Sequence, residues 1–285
     1  MADHAAHAER VPRPPPGAGS NIRSARGSPL PTAISILVYT HKPFAFPRDS
    51  TWLRPMLSTD CPTAIPGALR NDVGDNIARL EKHFNELTAI YWLWKNQPAC
   101  DIAGLYHYRR YLNFLPAHPQ PPEVFAASTA DAVAFLSHPQ QRQKLVDILA
   151  TFDVIVPQGN FLGASLEADY LAHHARKYWD RFWEIAFDTY PDYARFRDFL
   201  RLTNKAHFFN IFVSSKSWLD RYAQQLFGIL EVLTSQLGFP EPEPEKRFQE
   251  FRYPGYLAER FFMFYLFANR SRVHETQLVL LEKDR

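Results

Sequence analysis

The segment Ile102-Ala103-Gly104-Leu105-Tyr106 is apolar at every position, and the chain turns polar without transition at His107-Tyr108-Arg109-Arg110-Tyr111. A strand with apolar residues on both faces has no side to give to water, so it belongs inside a covered sheet, as a central strand of a parallel α/β sheet does. The abrupt polar end also marks a place for chemistry. In open α/β sheets, ligands bind in the crevice outside the carboxyl ends of the strands.

The rest of the chain follows the same pattern. The run 33–40 is β-rich and ended by His41-Lys42-Pro43, as expected of a first central strand feeding a loop. Residues 43–76 read as a long irregular stretch with one short strand. From Ile77, the apolar residues Leu80, Phe84, Leu87, Tyr91 and Trp94 recur at steps of three and four, which predicts one helix to about Lys95, stopped by Pro98. Residues 115–140 carry no clear pattern, and a helix is expected at 139–150. A short buried strand follows at 152–157, then a long helix over 166–189 with Leu171, His174, Tyr178, Phe182 and Ile185 on one side. A short helix is expected at 192–202 and a strand at 207–213. Ser217 with Asp220 resembles a capping box opening a helix through Leu226, Leu230 and Leu233, closed by Gly238. After an acidic Pro-rich loop at 241–245, Pro254-Gly255 precedes a last helix from Tyr256 to about Asn269, and a strand at 277–281 ends the pattern. Strands alternating with helices, without repeats, predict an α/β fold: a three-layer α/β/α sandwich with a mostly parallel central sheet.

Residues 1–31 lack hydrophobic periodicity and carry six prolines, so they are read as a disordered Pro-rich tail ahead of a single domain at 32–285. The tail histidines His4 and His7 read as solvent-exposed. Across the chain, 32 Lys and Arg stand against 30 Asp and Glu, which leaves no global field to draw the protein onto nucleic acid. The longest apolar run, Phe261 to Ala268, falls far short of the roughly 20 residues that span a bilayer. With no signal-peptide-like stretch, the expected compartment is the cytoplasm. The aromatic-rich last helix and the tail leave open a peripheral contact with the inner face of a membrane, although the helix pattern more simply marks core. Cys61 and Cys100 are too few for a stapled scaffold and too isolated for a zinc motif.

No GxGxxG, P-loop, GxSxG or HExxH occurs, so dehydrogenase, NTPase, serine-hydrolase and zincin readings lose their main support. Asp-x-Asp is also absent, so a divalent metal is not supported. In His107-Tyr108-Arg109-Arg110-Tyr111, strand alternation would place His107 and Arg109 on one face and Tyr108 and Arg110 on the other. Guanidinium groups bind phosphate oxygens in bidentate fashion, and neighbouring rings can stack on a base or sugar. The plainer alternative is that these arginines pair with carboxylates at the rim of the sheet. Asp75-Asn76 suits either ribose or sugar hydroxyls or a helix cap, with Asp75 as the N-cap. Glu86 is either solvated or turned toward the crevice. Glu259, expected in the first turn of its helix, either stabilises that helix electrostatically or takes a proton from an acceptor hydroxyl. His173-His174 is either a polar patch facing a cleft or structurally satisfied.

The blocks Gly74-Asp75-Asn76-Ile77, Asn85-Glu86-Leu87-Thr88-Ala89-Ile90-Tyr91-Trp92-Leu93-Trp94-Lys95-Asn96 and Gly104 through Tyr111 resemble the signature of the domain-of-unknown-function 4422 family. So do Phe209-Asn210-Ile211-Phe212-Val213 and Tyr256 through Phe262, and the resemblance spans about residues 33–270. It implies a GT-A-like glycosyltransferase, hexosyltransferase-like, associated with capsular and exopolysaccharide biosynthesis. The implied partners are a nucleotide-sugar donor, a uridine diphosphate sugar first among them, and a glycan or lipid-linked glycan acceptor. On that reading Thr40, His41, Asp75, Asn76, His107, Tyr108, Arg109 and Arg110 bind the donor and its diphosphate. Asn210, Glu86 and His174 meet the acceptor or sugar, and Glu259 is the base. Arginine would take the place of a bound cation in neutralising the leaving diphosphate. Two rivals stand beside it: a non-catalytic glycan- or nucleotide-binding protein of the same fold, and a glycoside hydrolase using Glu86 and Glu259.

Overall fold

A computed structural model describes residues 32–282 apart from 45, 47–49, 63, 116–120, 122, 127–128 and 241–250. The proposed tail at 1–31 and the acidic loop at 241–245 lie outside the described residues.

The chain opens with β1 (Ile34–Thr40), β2 (Leu53–Leu57) and the two-residue β3 (Leu69–Arg70), followed by α1 (Glu81–Phe84) and α2 (Glu86–Asn96). Next come β4 (Ile102–His107), β5 (Arg110–Asn113), β6 (Glu123–Ala126), α3 (Thr129–Leu136) and α4 (Pro139–Leu149). The middle of the chain forms β7 (Val154–Pro157), β8 (Asn160–Phe161), α5 (Leu166–His173), α6 (Arg176–Thr189), α7 (Phe199–Leu202) and β9 (Lys205–Ala206). It closes with β10 (Phe212–Ser215), α8 (Lys216–Leu237), α9 (Tyr253–Ala268) and β11 (Val273–Leu281).

The strands β3, β2, β1 and β4 lie side by side and all parallel, so their carboxyl ends share one edge. Beyond β4 the sheet is mixed rather than mostly parallel. Antiparallel β10 runs between β4 and β7, and β7 pairs in parallel with β11. The long β11 changes partner along its length. Residues 273–276 pair with β7, and 277–280 pair antiparallel with β5, with β6 alongside.

Alternate residues of the central strands feed two separate cores. Leu37, Tyr39, Ala103 and Leu105 join one with α2, α6, α8 and α9; Ile36, Val38, Ile102 and Tyr106 join the other with α4, β5 and β11. Burial on both faces is what the apolar run 102–106 requires. Gly104 is set by the close passage of β10: a Cβ there would stand 2.8 Å from the Phe212 carbonyl oxygen and 2.8 Å from Val213 Cγ2. The aromatic last helix is core too, with Leu257, Phe261, Phe264 and Tyr265 all buried.

Several helix boundaries differ from those the sequence predicts. The helix expected from Ile77 is broken at Asn85, which takes φ 45° and ψ −119° between α1 and α2. The helix expected over 166–189 is two, parted at the extended His174. For α8 the cap is Ser215, whose hydroxyl accepts from the Trp218 amide at 3.3 Å, while Asp220 instead pairs with Lys216. The last helix starts at Tyr253 with Pro254 in its first turn, where the missing N–H costs nothing. Glu259 therefore sits mid-helix, not in the first turn.

Candidate active site

Two adjoining cavities open at the carboxyl ends of β1, β2 and β4. The larger, about 1140 Å³, and the smaller, about 420 Å³, share Asn85, Glu86, Arg110 and Arg252 in their walls. Both fall in or above the size range of small-ligand sites, about 300–1,000 Å³.

The polar patch after β4 is a tight hairpin, which corrects the expected alternation. Tyr108 and Arg109 form the turn, and His107 pairs directly with Arg110 across it. Opposed residues of an antiparallel pair project to the same face, so His107 and Arg110 act together on the larger cavity. Among the described residues neither Arg109 nor Arg110 forms an ion pair, and the Nε atoms of both lack a hydrogen-bond partner. The Arg110 guanidinium is held 4.2 Å from the ring centroid of Phe209. Desolvation, then repulsion from Arg109, lowers its pKa. His107 is buried with its Nδ1 unpartnered, and desolvation followed by the positive charge of Arg110 lowers its pKa to about 3. It is a neutral imidazole beside a cation, with no carboxylate partner among the described residues. His41 stands at the mouth, its pKa lowered by partial desolvation and by Lys42 and Arg252.

The wall of the larger cavity holds a carboxyl group the sequence did not single out. Glu81 accepts from the Tyr39 hydroxyl, from Asn71 Nδ2 at 2.5 Å and from Thr88 Oγ1 at 2.9 Å. Burial raises its pKa, and these three donors oppose that rise. The single Thr88 hydroxyl proton is shared between Glu81 and the carbonyl of Asn85, 2.7 Å away. That bond ties the strained turn at Asn85 to the network, and strain of this kind persists only where surroundings over-determine it.

The smaller cavity is built on α5, α9 and the turn before β10. Phe209 and Asn210 both have positive φ, 75° and 53°, so the expected strand 207–213 is interrupted and starts properly only at Phe212. This turn aims the Phe209 amide at Glu259 Oε1, 2.9 Å away. Glu259 Oε2 accepts from Arg260 at 3.0 Å, and Arg260 donates to Asp169 Oδ2 at 2.6 Å. Only 13% of the Glu259 side chain is exposed, and desolvation pushes its pKa up to about 7 against the opposing pull of Arg260. His174, on the same wall, lies between the rings of Tyr170 and Tyr256, and its pKa is lowered to about 4 by desolvation and then by Arg260.

The structure thus brings His41, Glu86, His107, Arg110, His174, Asn210 and Glu259 into one two-lobed cleft. It does not bring the others there. Thr40 is buried beneath the first loop, accepting from the Lys42 amide at 3.0 Å. Tyr108 packs against His41 and Phe44, and Arg109 lies in the turn outside the cavity walls. Asp75 accepts from Tyr91 at 3.2 Å, while Asn76 caps the helical turn at Ala78, its Oδ1 accepting that amide at 3.1 Å. Both belong to a loop strapped to α2 by Asn96, which accepts from the Asp75 amide and donates to its carbonyl. Sequence reasoning missed Tyr39, Glu81, Arg252 and Tyr256 in the walls. The pairing of Glu259 with its chain neighbour Arg260, the plainer reading of that carboxylate, is present. Among the described residues no group of three or more His, Cys, Asp or Glu is placed to hold a metal ion, and no helix is long and apolar enough to cross a membrane.

No curated protein matches the chain significantly. The chain is similar to a solved apo structure of WbbM, described as a bifunctional glycosyltransferase, with a TM-score of 0.77 at 24% identity. The likeness covers 88% of this chain and 46% of that one, so the protein spans less than half of WbbM, and at this identity it shows a shared fold. The model of the family described as Domain of unknown function (DUF4422) matches residues 35–270, and the chain belongs to that family.

Proposed function

We propose that the protein is a glycosyltransferase that moves a sugar from a nucleoside diphosphate donor, a uridine diphosphate sugar first among candidates, to a hydroxyl of a glycan or lipid-linked glycan. One observation carries the reading. A single cleft holds in one lobe a guanidinium without a carboxylate partner among the described residues, Arg110 beside neutral His107, and in the other a carboxyl group of near-neutral pKa, Glu259. The fold shared with a bifunctional glycosyltransferase supports it.

In this reading the diphosphate lies against Arg110 in the larger cavity, with neutral His107 in the wall beside it. The acceptor hydroxyl enters beside Glu259. Its oxygen forms a bond to the anomeric carbon as the bond from that carbon to the diphosphate oxygen breaks. The hydroxyl proton passes to Glu259, and the nucleoside diphosphate leaves with the bonding electrons, its added charge facing Arg110. A fixed cation at the site of developing charge is worth a few kcal/mol in the transition state. A base with a pKa near the working pH combines the ionised form with useful proton affinity.

The test is calorimetric titration with nucleoside diphosphates, joined to a mass-spectrometric screen of nucleotide sugars with and without EDTA. Binding of a nucleoside diphosphate and turnover of its sugar conjugate are expected. A folded protein that binds none of them rules the reading out.

A further inference from the structure

Glu259 and Arg260 are consecutive on α9, and consecutive helical residues point about 100° apart, so they do not face each other unaided. Yet their side chains bond at 3.0 Å. Within the helix Nη1 also reaches the Tyr256 carbonyl at 3.3 Å, and groups from elsewhere in the fold hold the other side of the guanidinium. Asp169 takes Nη2 at 2.6 Å, and the rings of Phe208 and Tyr170 flank the guanidinium carbon at 5.3 and 5.7 Å. Arg260 is 5% exposed, so its charge has almost no water to turn to. Asp169 is itself fixed. Ser165 caps α5 through the Ala168 amide, Leu166 and Tyr170 bury that helix, and His173 Nδ1 sits 2.8 Å from the Asp169 carbonyl.

We infer that Asp169 is a positioning residue of the cleft: by holding Arg260 across the helix it sets both the direction and the proton affinity of Glu259. The inference rests on the reading of Glu259 as the base. One buried cation is shared between two carboxyl groups, so whatever charge Asp169 claims is withheld from Glu259. The Phe209 amide fixes Oε1 and Arg260 fixes Oε2, leaving Glu259 one orientation in which its remaining lone pairs face the cavity. The other charged and titratable groups near it are Glu86 from α2, Arg110 from β5, Arg252 and Tyr256 from the entry to α9, His173 and His174 at the end of α5 and Tyr222 from α8. None of these bonds the Arg260 guanidinium through its side chain.

The experiment is a ¹³C NMR titration of glutamate side-chain carboxyls in the full ligand-free chain, with Glu259→Gln identifying the resonance, on wild type, Asp169→Asn and Asp169→Glu. Asn keeps an acceptor for Arg260 but removes the competing charge, so the Glu259 midpoint should fall by about one unit, tenfold in proton affinity. Asp169→Glu should restore it. The acid limb of kcat/KM should move with the midpoint, which a merely structural aspartate would not cause. A midpoint in Asp169→Asn equal to that of wild type overturns the inference, and so does a midpoint in Asp169→Glu that stays with Asp169→Asn. The titration needs no substrate, so absence of nucleotide binding would count against the transferase reading while leaving this result interpretable.

Discussion

Phe209 serves both lobes of the cleft: its ring lies 4.2 Å from the guanidinium of Arg110, and its backbone amide donates to Glu259 at 2.9 Å. A left-handed aromatic residue, φ 75°, thus sets the spacing between the proposed diphosphate site and the proposed base. Such a conformation is rare for a bulky side chain and is retained where a site depends on it.

Replacing Arg110 by methionine should weaken binding of a nucleoside diphosphate by about 10- to 100-fold, the loss of a charge-assisted bidentate contact. Arg109→Met should change it by less than about threefold, because Arg109 lies outside the cavity walls and acts only through distance. Calorimetric titration of the two variants side by side separates these outcomes.

Glu259→Gln should lower transfer by about 10²- to 10⁴-fold while leaving nucleotide affinity nearly unchanged. Burial raises this carboxyl to about 7, so in wild type the proton-accepting form is present above that pH and disappears below it. The rate should therefore fall about tenfold per pH unit on the acid side of 7, and a pH–rate profile reads this directly. A flat profile between pH 5 and 8 would contradict the assignment.

Gly104→Ala should destabilise the fold by about 1–3 kcal/mol, because the added methyl meets the Phe212 carbonyl oxygen of the paired strand as well as the stiff β-branched side chain of Val213. Thermal unfolding followed by circular dichroism should show Tm several degrees lower. The damage also reaches function, since β10 carries the turn at Phe209 and Asn210.

Asn71→Ala removes a buried donor from Glu81 and should cost about 1–3 kcal/mol. Thr88 loses a partner in the same change, since Asn71 Nδ2 also donates to its hydroxyl at 3.0 Å. Urea unfolding gives the measurement, and a midpoint within error of wild type would show the network to be dispensable.

The sequence made the parallel half of the sheet readable because burial on both faces leaves no alternative for a run such as 102–106. It also placed the cleft, since the polar switch at His107 falls at a strand end. Breaks made by single residues were not readable. The apolar spacing from Ile77 to Trp94 continues through Asn85 as if one helix ran there, and only the backbone dihedral reveals the turn. The run 207–213 looks like a strand because Phe208, Phe209 and Ile211 suit one, yet it holds two left-handed residues without a glycine. Strand β5 is hidden in the sequence because Tyr111 and Leu112 follow the arginines directly, so a two-residue turn reads as continued alternation. Asp75 and Asn76 show the converse limit: their residue types fit sugar recognition, but Asp75 accepts from Tyr91 of α2, and Asn76 bonds within its own loop to Gly74 and Ala78.

The exchange of partners along β11 governs the order in which this protein can come into being. The hairpin bearing Arg110 receives its outer neighbour from residues 277–280, and Asn113 and Gln277, which bond at 3.0 Å, are 164 positions apart. On a ribosome the parallel strands β1 to β4 can assemble long before that segment emerges. The proposed donor lobe therefore gains this supporting strand only after residues 277–280 have been made, and until then Arg110 sits on a hairpin without its outer neighbour.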